Sequence, residues 1–423
     1  MEEAIARNVV LAVPLLLVAV AAVRVRLDLV RRVPAAFLAG LWVWVAVLAV
    51  EVGTDWWTFA PAPTSVGGVP LEISLGWALL WGAVPVLVGG PLWVWLLAFA
   101  WIDLLGMDRL PGLELHDGWL WGELLLLAVA AGPGLALGWA TRHRRWLWLR
   151  VGLQAVLFTA AFFWLLPHLV LTAEGSAWAD VVDHSYLVRS VLLVVAVLVF
   201  VPAVAAVVEL GHAGGTPFPW DPPARLVTTG PFAYVANPMQ IGMSGLMVLL
   251  AVAAGSPGLG AAAVFAIAFS VVLAERQEHA ALSARWAAYE TYRTHVRAWW
   301  PRWRPYVPSP RTLWVSETCE LCAATGATLQ ALGQVGLETH VAEEAPHRVP
   351  RMEWSDGETV SSGVAAFARA LEHTTLVWAW LGWWMRLPGV GWVLQLIADA
   401  CGLGPRELPR RETTPRSTVE DAG

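Results

Sequence analysis

Cys319 and Cys322 stand one helical turn apart in Cys319-Glu320-Leu321-Cys322, just after a strand-forming run, Thr312 to Val315. At a helix start, unpaired N–H groups favour the Cys319 thiolate, and Cys322 is placed to resolve a mixed disulfide. Zinc would need four ligands. There is no second C-x-x-C, and Cys401 with His340 or His347 makes a poor substitute. A second arrangement is a pair of polar passages. Gly211 to Gln240, reading GHAGGTPFPWDPPARLVTTGPFAYVANPMQ, interrupts hydrophobic sequence with Gly, Pro, Thr and aromatics. Glu275 to Trp303 follows two apolar runs later. Two polar passages bracketing a short apolar hairpin form a composite site at a membrane surface, which is read as the working part of the chain.

The elements that must position these residues are hydrophobic. At 57% hydrophobic, 14% charged and a mean hydropathy of +0.59, the chain is too apolar for a soluble protein. Apolar runs near 8–23, 34–50, 71–88, 91–106, 119–140, 146–172, 187–209, 238–254 and 258–274 predict about nine transmembrane helices. Among ionisable residues in or near these runs, Asp103 and Glu123 are the strongest intramembrane candidates. A net charge of -6 gives no reason to expect nucleic acid, and three cysteines exclude a disulfide framework. The chain has no lysine, and its arginines cluster after the first, fifth and ninth runs. That asymmetry predicts an outside N-terminus, with both polar passages and the C-terminal region cytoplasmic, in the inner (plasma) membrane. The prolines of 305–311 read as a linker, the segment 312–404 as a small α/β domain, and the tail from about 405 as disordered.

Several motifs carry a resemblance. Leu226-Val227-Thr228-Thr229-Gly230-Pro231-Phe232-Ala233-Tyr234, then Asn237-Pro238 and Gly242, resembles the first signature of the isoprenylcysteine carboxyl methyltransferases and the related bacterial and phospholipid methyltransferases of membranes. Glu275 and Glu278, then Tyr289-x-x-Tyr292-x-x-x-Val296 and Pro301, is similar to the second. The resemblance covers roughly 187–304. Ala236, Gln240 and Arg297 depart from the family's arginine, tyrosine and proline. It implies methyl transfer from S-adenosylmethionine to a lipid, isoprenoid or other lipophilic small-molecule acceptor in the bilayer. The implied cofactor residues are Leu226, Gly230, Phe232, Tyr234, Asn237, Pro238, Glu278, Tyr289 and Tyr292. Phe232 and Tyr234 would offer ring faces to the sulfonium. Glu275 or Glu278 would pair with the ammonium or act as base. The helix start at Asn237-Pro238 would take the carboxylate. No strand–G-x-G-x-x-G–helix unit supports a soluble nucleotide fold.

Beyond 311, a strand, C-x-x-C at a helix start and Val349-Pro350 before a later strand look like the thioredoxin and glutaredoxin superfamily. Ser362-Gly363 and Leu387-Pro388-Gly389 resemble the DCC thiol-disulfide oxidoreductases. That likeness implies a thioredoxin-like fold, a cis Pro350, catalytic Cys319 and Cys322, and a thiol redox partner. The fold class expected is therefore a polytopic α-helical membrane protein with a C-terminal α/β thioredoxin-like domain. The leading expectation, a membrane methyltransferase, predicts cofactor binding that outlasts removal of 311–423. Its rivals are a membrane redox protein whose helices bind a quinone or lipid, and a non-enzymatic lipid-binding scaffold.

Overall fold

The structure, a computed structural model, describes residues 1–406, apart from the side chains at 27, 273, 274, 277, 278 and 321. The tail expected to be disordered lies almost wholly outside the described residues.

All nine apolar runs are helical, but only six of these helices are long and apolar enough to cross a membrane. They are Glu2–Arg24, Leu29–Gly53, Leu71–Val88, Trp119–His143, Leu147–Glu174 and Tyr186–His212. Leu92–Gly106, Pro238–Ala254 and Pro257–Phe269 have 15, 17 and 13 residues, short of the roughly 20 that about 30 Å of hydrocarbon requires. Three spanning helices widen into π-type turns, Ala78–Ala83, Leu127–Ala131 and Ala161–Leu165, just ahead of Pro85, Pro133 and Pro167. A proline lacks the N–H for the helical ladder and its ring presses on the carbonyl four residues back. A wider turn absorbs both defects without ending the helix.

The described chain forms two compact units. The first takes Met1–Asp183, Gly214–Ala224 and Ala251–Gly260. Its helices Leu29–Gly53 and Leu71–Val88 cross at Gly40 and Gly82, where a Cβ on Gly82 would stand 2.6 Å from Gly40 Cα. Small residues of this kind let helices in lipid approach closely. The segment Gly214–Ala224 is anchored by Asp221, which accepts from buried Arg150 and from Thr216. Phe218 stacks between Phe37 and Phe158. The long polar passage therefore does not act as one piece: its middle, Gly214–Ala224, belongs to this unit, and residues 211–213 and those from Arg225 belong to the other.

The second unit contains Tyr186–His212, the rest of both polar passages and a small sheet. Arg311–Val315 lies at the sheet's centre, parallel to Leu337–Val341 and antiparallel to Glu353–Ser355, which pairs antiparallel with Val360–Ser362. Leu313 sits opposite Trp354, and both bury against Leu329, Ala366 and Leu371 from the flanking helices Glu320–Ala331 and Val364–Leu371. Helices Leu376–Met385 and Val390–Ala398 follow, parted at Pro388-Gly389, where Gly389 takes φ 84. Pro350 does not follow a cis bond: no cis peptide occurs among the described residues. Nor is 305–311 a free linker, since Tyr306 N–H donates to Ala233 O at 2.8 Å and Tyr306 packs on Tyr292.

Candidate functional site

The two polar passages meet inside the second unit. Ala236 N–H donates to Arg297 O at 2.9 Å, Asn237 N–H to Ala298 O at 3.2 Å, and Arg302 N–H to Tyr234 O at 2.9 Å. Segment 234–237 thus runs beside 297–302, as a composite site requires. Asn237 precedes the helix Pro238–Ala254, whose first residue is proline, the one residue that loses no helical hydrogen bond there. Asn237 is buried, yet its Nδ2 has no partner among the described residues, and neither has Arg302 Nη1. Both lie where the two passages join and where helix N–H groups open. Gly242 on this helix comes so close to Tyr186–His212 that a Cβ would stand 2.4 Å from that of Ala203.

The residues expected to hold a cofactor divide between this opening and the packed interior. Leu226, Tyr289 and Tyr292 bury together with Val296. The Tyr292 hydroxyl donates to Phe232 O at 2.8 Å. The Phe232 ring packs among Ala206, Leu210 and Val227, and Tyr234 is fully buried with its ring edge-on to Trp383. Burial pushes the Tyr234 phenol well above its ordinary pKa, and its hydroxyl donates to Glu372 O at 2.9 Å. The ring faces assigned to the sulfonium are therefore occupied by packing. Glu275 accepts from Arg293 at 2.8 Å and from Trp299 at 3.3 Å. The Glu278 side chain lies outside the described residues.

Gly230 opens a tight turn, Gly230–Ala233, at φ 59, and a Cβ on it would stand 2.7 Å from Glu209 Cγ. Both facts require glycine. The neighbouring Thr229 hydroxyl donates to Glu209 Oε2 at 2.7 Å. On the C-terminal side of this loop the cavity lined by Thr229, Tyr306 and His373 is only about 20 Å3, room for about one water and not for a nucleoside.

Glu209 leads to a cluster that sequence reasoning missed. Its carboxylate meets Arg369 Nη1 at 2.9 Å and Arg386 Nη2 at 2.5 Å. Glu372 accepts from the same two arginines, 3.1 Å from Arg369, and the Arg369 guanidinium lies 4.9 Å over Trp354. Burial works against the charge on Arg386, but the Glu372 and Glu209 carboxylates outweigh it and hold the group more basic than usual. The signal was available: a lone carboxylate in the last turn of an apolar spanning helix needs a partner.

Cys319 caps the helix Glu320–Ala331, and its Sγ accepts from Cys322 N at 3.3 Å and from Cys322 Sγ at 2.6 Å. Burial and the bond to Cys319 push the Cys322 thiol up to about 12. The residues before Cys319 are pinned by Glu343, which accepts from Ser316 Oγ at 2.7 Å and from Thr318 N and Oγ1 at 3.1 and 2.8 Å. Burial of Glu343 opposes its charge, but those donors prevail and lower it to about 2. Asp103 and Glu123, the intramembrane candidates, lie against each other in the first unit, each with one unpartnered oxygen among the described residues.

No curated protein and no solved structure matches the chain. A family model does match: residues 185–288 are similar to the phospholipid methyltransferases, a family of membrane-embedded enzymes; the stretch takes in the first motif and Glu275 and Glu278 and ends just before Tyr289 and Tyr292.

Proposed function

We propose that this chain is an integral membrane methyltransferase that uses S-adenosylmethionine and acts on a lipid, isoprenoid or other acceptor dissolved in the bilayer. The observation that carries the proposal is the junction of 234–237 with 297–302, with two donors in it that have no partner among the described residues, and a family match that covers the first of these segments. S-adenosylmethionine supplies the methyl group as an in-line electrophile. The chain's own residues do the positioning, which dominates such transfers. Asn237 Nδ2 and the N–H groups opening Pro238–Ala254 take the cofactor's carboxylate, an acceptor that satisfies a buried donor otherwise left at a cost. Leu226, Tyr289 and Tyr292 hold the loop, and Gly230, Phe232 and Tyr234 contribute backbone position rather than ring faces. Glu275 is already engaged by Arg293, so Glu278 is assigned to the ammonium or to a proton on the acceptor. The acceptor enters from the bilayer. Leu92–Gly106, though short, returns the chain to the side where Leu113–Leu115 pairs with Trp57–Phe59, so the arginine-rich ends share one side; with that side inside, the N-terminus is outside, and the site and the C-terminal domain are cytoplasmic at the inner membrane. Replacing Asn237 with alanine removes one charge-assisted hydrogen bond and should weaken S-adenosylmethionine binding about tenfold. Equilibrium dialysis against labelled cofactor measures this, and unchanged affinity would refute the assignment.

The sheet order, with a parallel β–α–β half and an antiparallel hairpin, and two sulfurs 2.6 Å apart at a helix start favour a second, appended activity. We read 312–404 as a thioredoxin-like, DCC-type module. Cys319 thiolate attacks a partner disulfide and displaces the partner's first thiolate. Cys322 then attacks the mixed disulfide and displaces the second, leaving the pair oxidised and the partner reduced. In Cys401→Ser protein, alkylation of Cys322→Ser should show Cys319 titrating below the free-thiol pKa of about 8.5. Equal rates for Cys319→Ser, which retains Cys322, would remove the basis for this activity.

A further inference from the structure

The first unit contains a cavity of about 280 Å3 at the end of the bundle where Leu71–Val88 stops, Leu92–Gly106 starts and Trp119–His143 stops. Its walls are apolar at Val86, Leu92 and Leu135, with the indoles Trp95 and Trp139 beside them. The turn between the first two helices is Gly89-Gly90, with φ 91 and 108. A Cβ on Gly89 would stand 3.3 Å from Arg142 Nη1, so bare backbone is what lets the guanidinium reach the cavity.

Arg142 lines this space and is not neutralised. Its hydrogen bond is a long one, Nη1 to Val86 O at 3.4 Å, and no carboxylate pairs with it among the described residues. Asp28, the acid whose charge acts on Arg142, is taken by Arg32 at 2.9 Å. Arg24, Arg144 and Arg145 lie at the same helix ends and add positive potential. A half-buried cation over apolar walls, flanked by indoles at the depth where spanning helices end, matches an amphiphile with an anionic head.

We infer that this cavity binds a phosphate-bearing headgroup. Its volume admits the headgroup alone, and acyl chains would run outside along the helices. The inference is independent of the methyl-transfer reading, because no residue of that site takes part.

Full-length protein in micelles of dodecyl maltoside, a detergent without phosphate, would be dialysed against labelled dihexanoyl phosphatidylglycerol or against labelled inorganic phosphate. Phosphatidylglycerol should bind saturably, and Arg142→Gln should weaken it about tenfold. Val88→Trp, at an exposed position on the rim, should block binding while leaving every charge in place. Equally tight binding of inorganic phosphate would assign the site to a soluble anion rather than to lipid. Binding of neither probe would overturn the inference. So would an equal loss in Arg144→Gln, whose side chain is exposed and outside the cavity, because binding would then be general surface attraction.

Discussion

Glu209→Ala should destabilise the second unit by about 3–5 kcal/mol, the effect of stranding buried charges when one partner of an ion pair is removed. Two arginines lose a carboxylate at once, and Thr229 loses its acceptor beside the Gly230 turn. Against a total stability of about 5–15 kcal/mol the loss is severe, and the midpoint of thermal unfolding in detergent should fall by roughly 10 °C or more. Replacing the whole cluster tests the cause. With Glu209→Leu, Arg369→Met, Glu372→Leu and Arg386→Met together, no charge is left unpaired, and apolar replacements of buried ion networks are often neutral or stabilising. The fourfold variant should therefore regain most of the lost midpoint. If Glu209→Ala melts like the parent, the cluster contributes nothing to stability. A fourfold variant worse than Glu209→Ala would show that the network's specific geometry, and not charge pairing, is what matters.

Removing residues 311–423 should abolish cofactor binding, the opposite of what the sequence suggested. The deletion takes Arg369 and Arg386 from Glu209, Trp383 from its edge-on contact with Tyr234, and the Glu372 carbonyl from the Tyr234 hydroxyl. It also takes Leu376, whose N–H donates to Trp303 O at 2.9 Å, and Trp380, which donates to Leu198 O at 3.1 Å. A buried acid and several aromatic faces would be left open at the loop that leads into Asn237. The shortened chain should be degraded or aggregate on extraction, and what remains should not retain S-adenosylmethionine. A monodisperse, cofactor-binding fragment would show that the C-terminal domain is a passenger.

Local patterns were legible in the sequence. Every apolar run is a helix, and the strand expected at Thr312 to Val315 is Arg311–Val315, because period, proline and glycine act over one or two turns. The meeting of the two polar passages was also legible, since a short hairpin can only return the chain to the surface it left. Three features were not. Helix length against bilayer thickness needs exact ends, so the sequence did not show that Leu92–Gly106 and the hairpin pair fall short of the usual spanning length. The split of the Gly211 to Gln240 passage between two units turns on Arg150, which pairs with Asp221 from 71 residues away. The role of Tyr234 turned on Trp383 and Glu372, more than a hundred residues downstream. A tyrosine in a glycine-rich loop looks the same whether it faces a ligand or a buried helix.

The central claim is methyl transfer, and it is tested most directly by following the methyl group. Membranes carrying the full-length protein, and membranes without it, would be incubated with S-adenosylmethionine labelled on its methyl carbon and then extracted with organic solvent. Label should pass into the organic phase only where the protein is present, and should fall about tenfold or more with Asn237→Ala at subsaturating cofactor. Label absent from the organic phase, or equal with and without the protein, would contradict the assignment of a membrane methyltransferase.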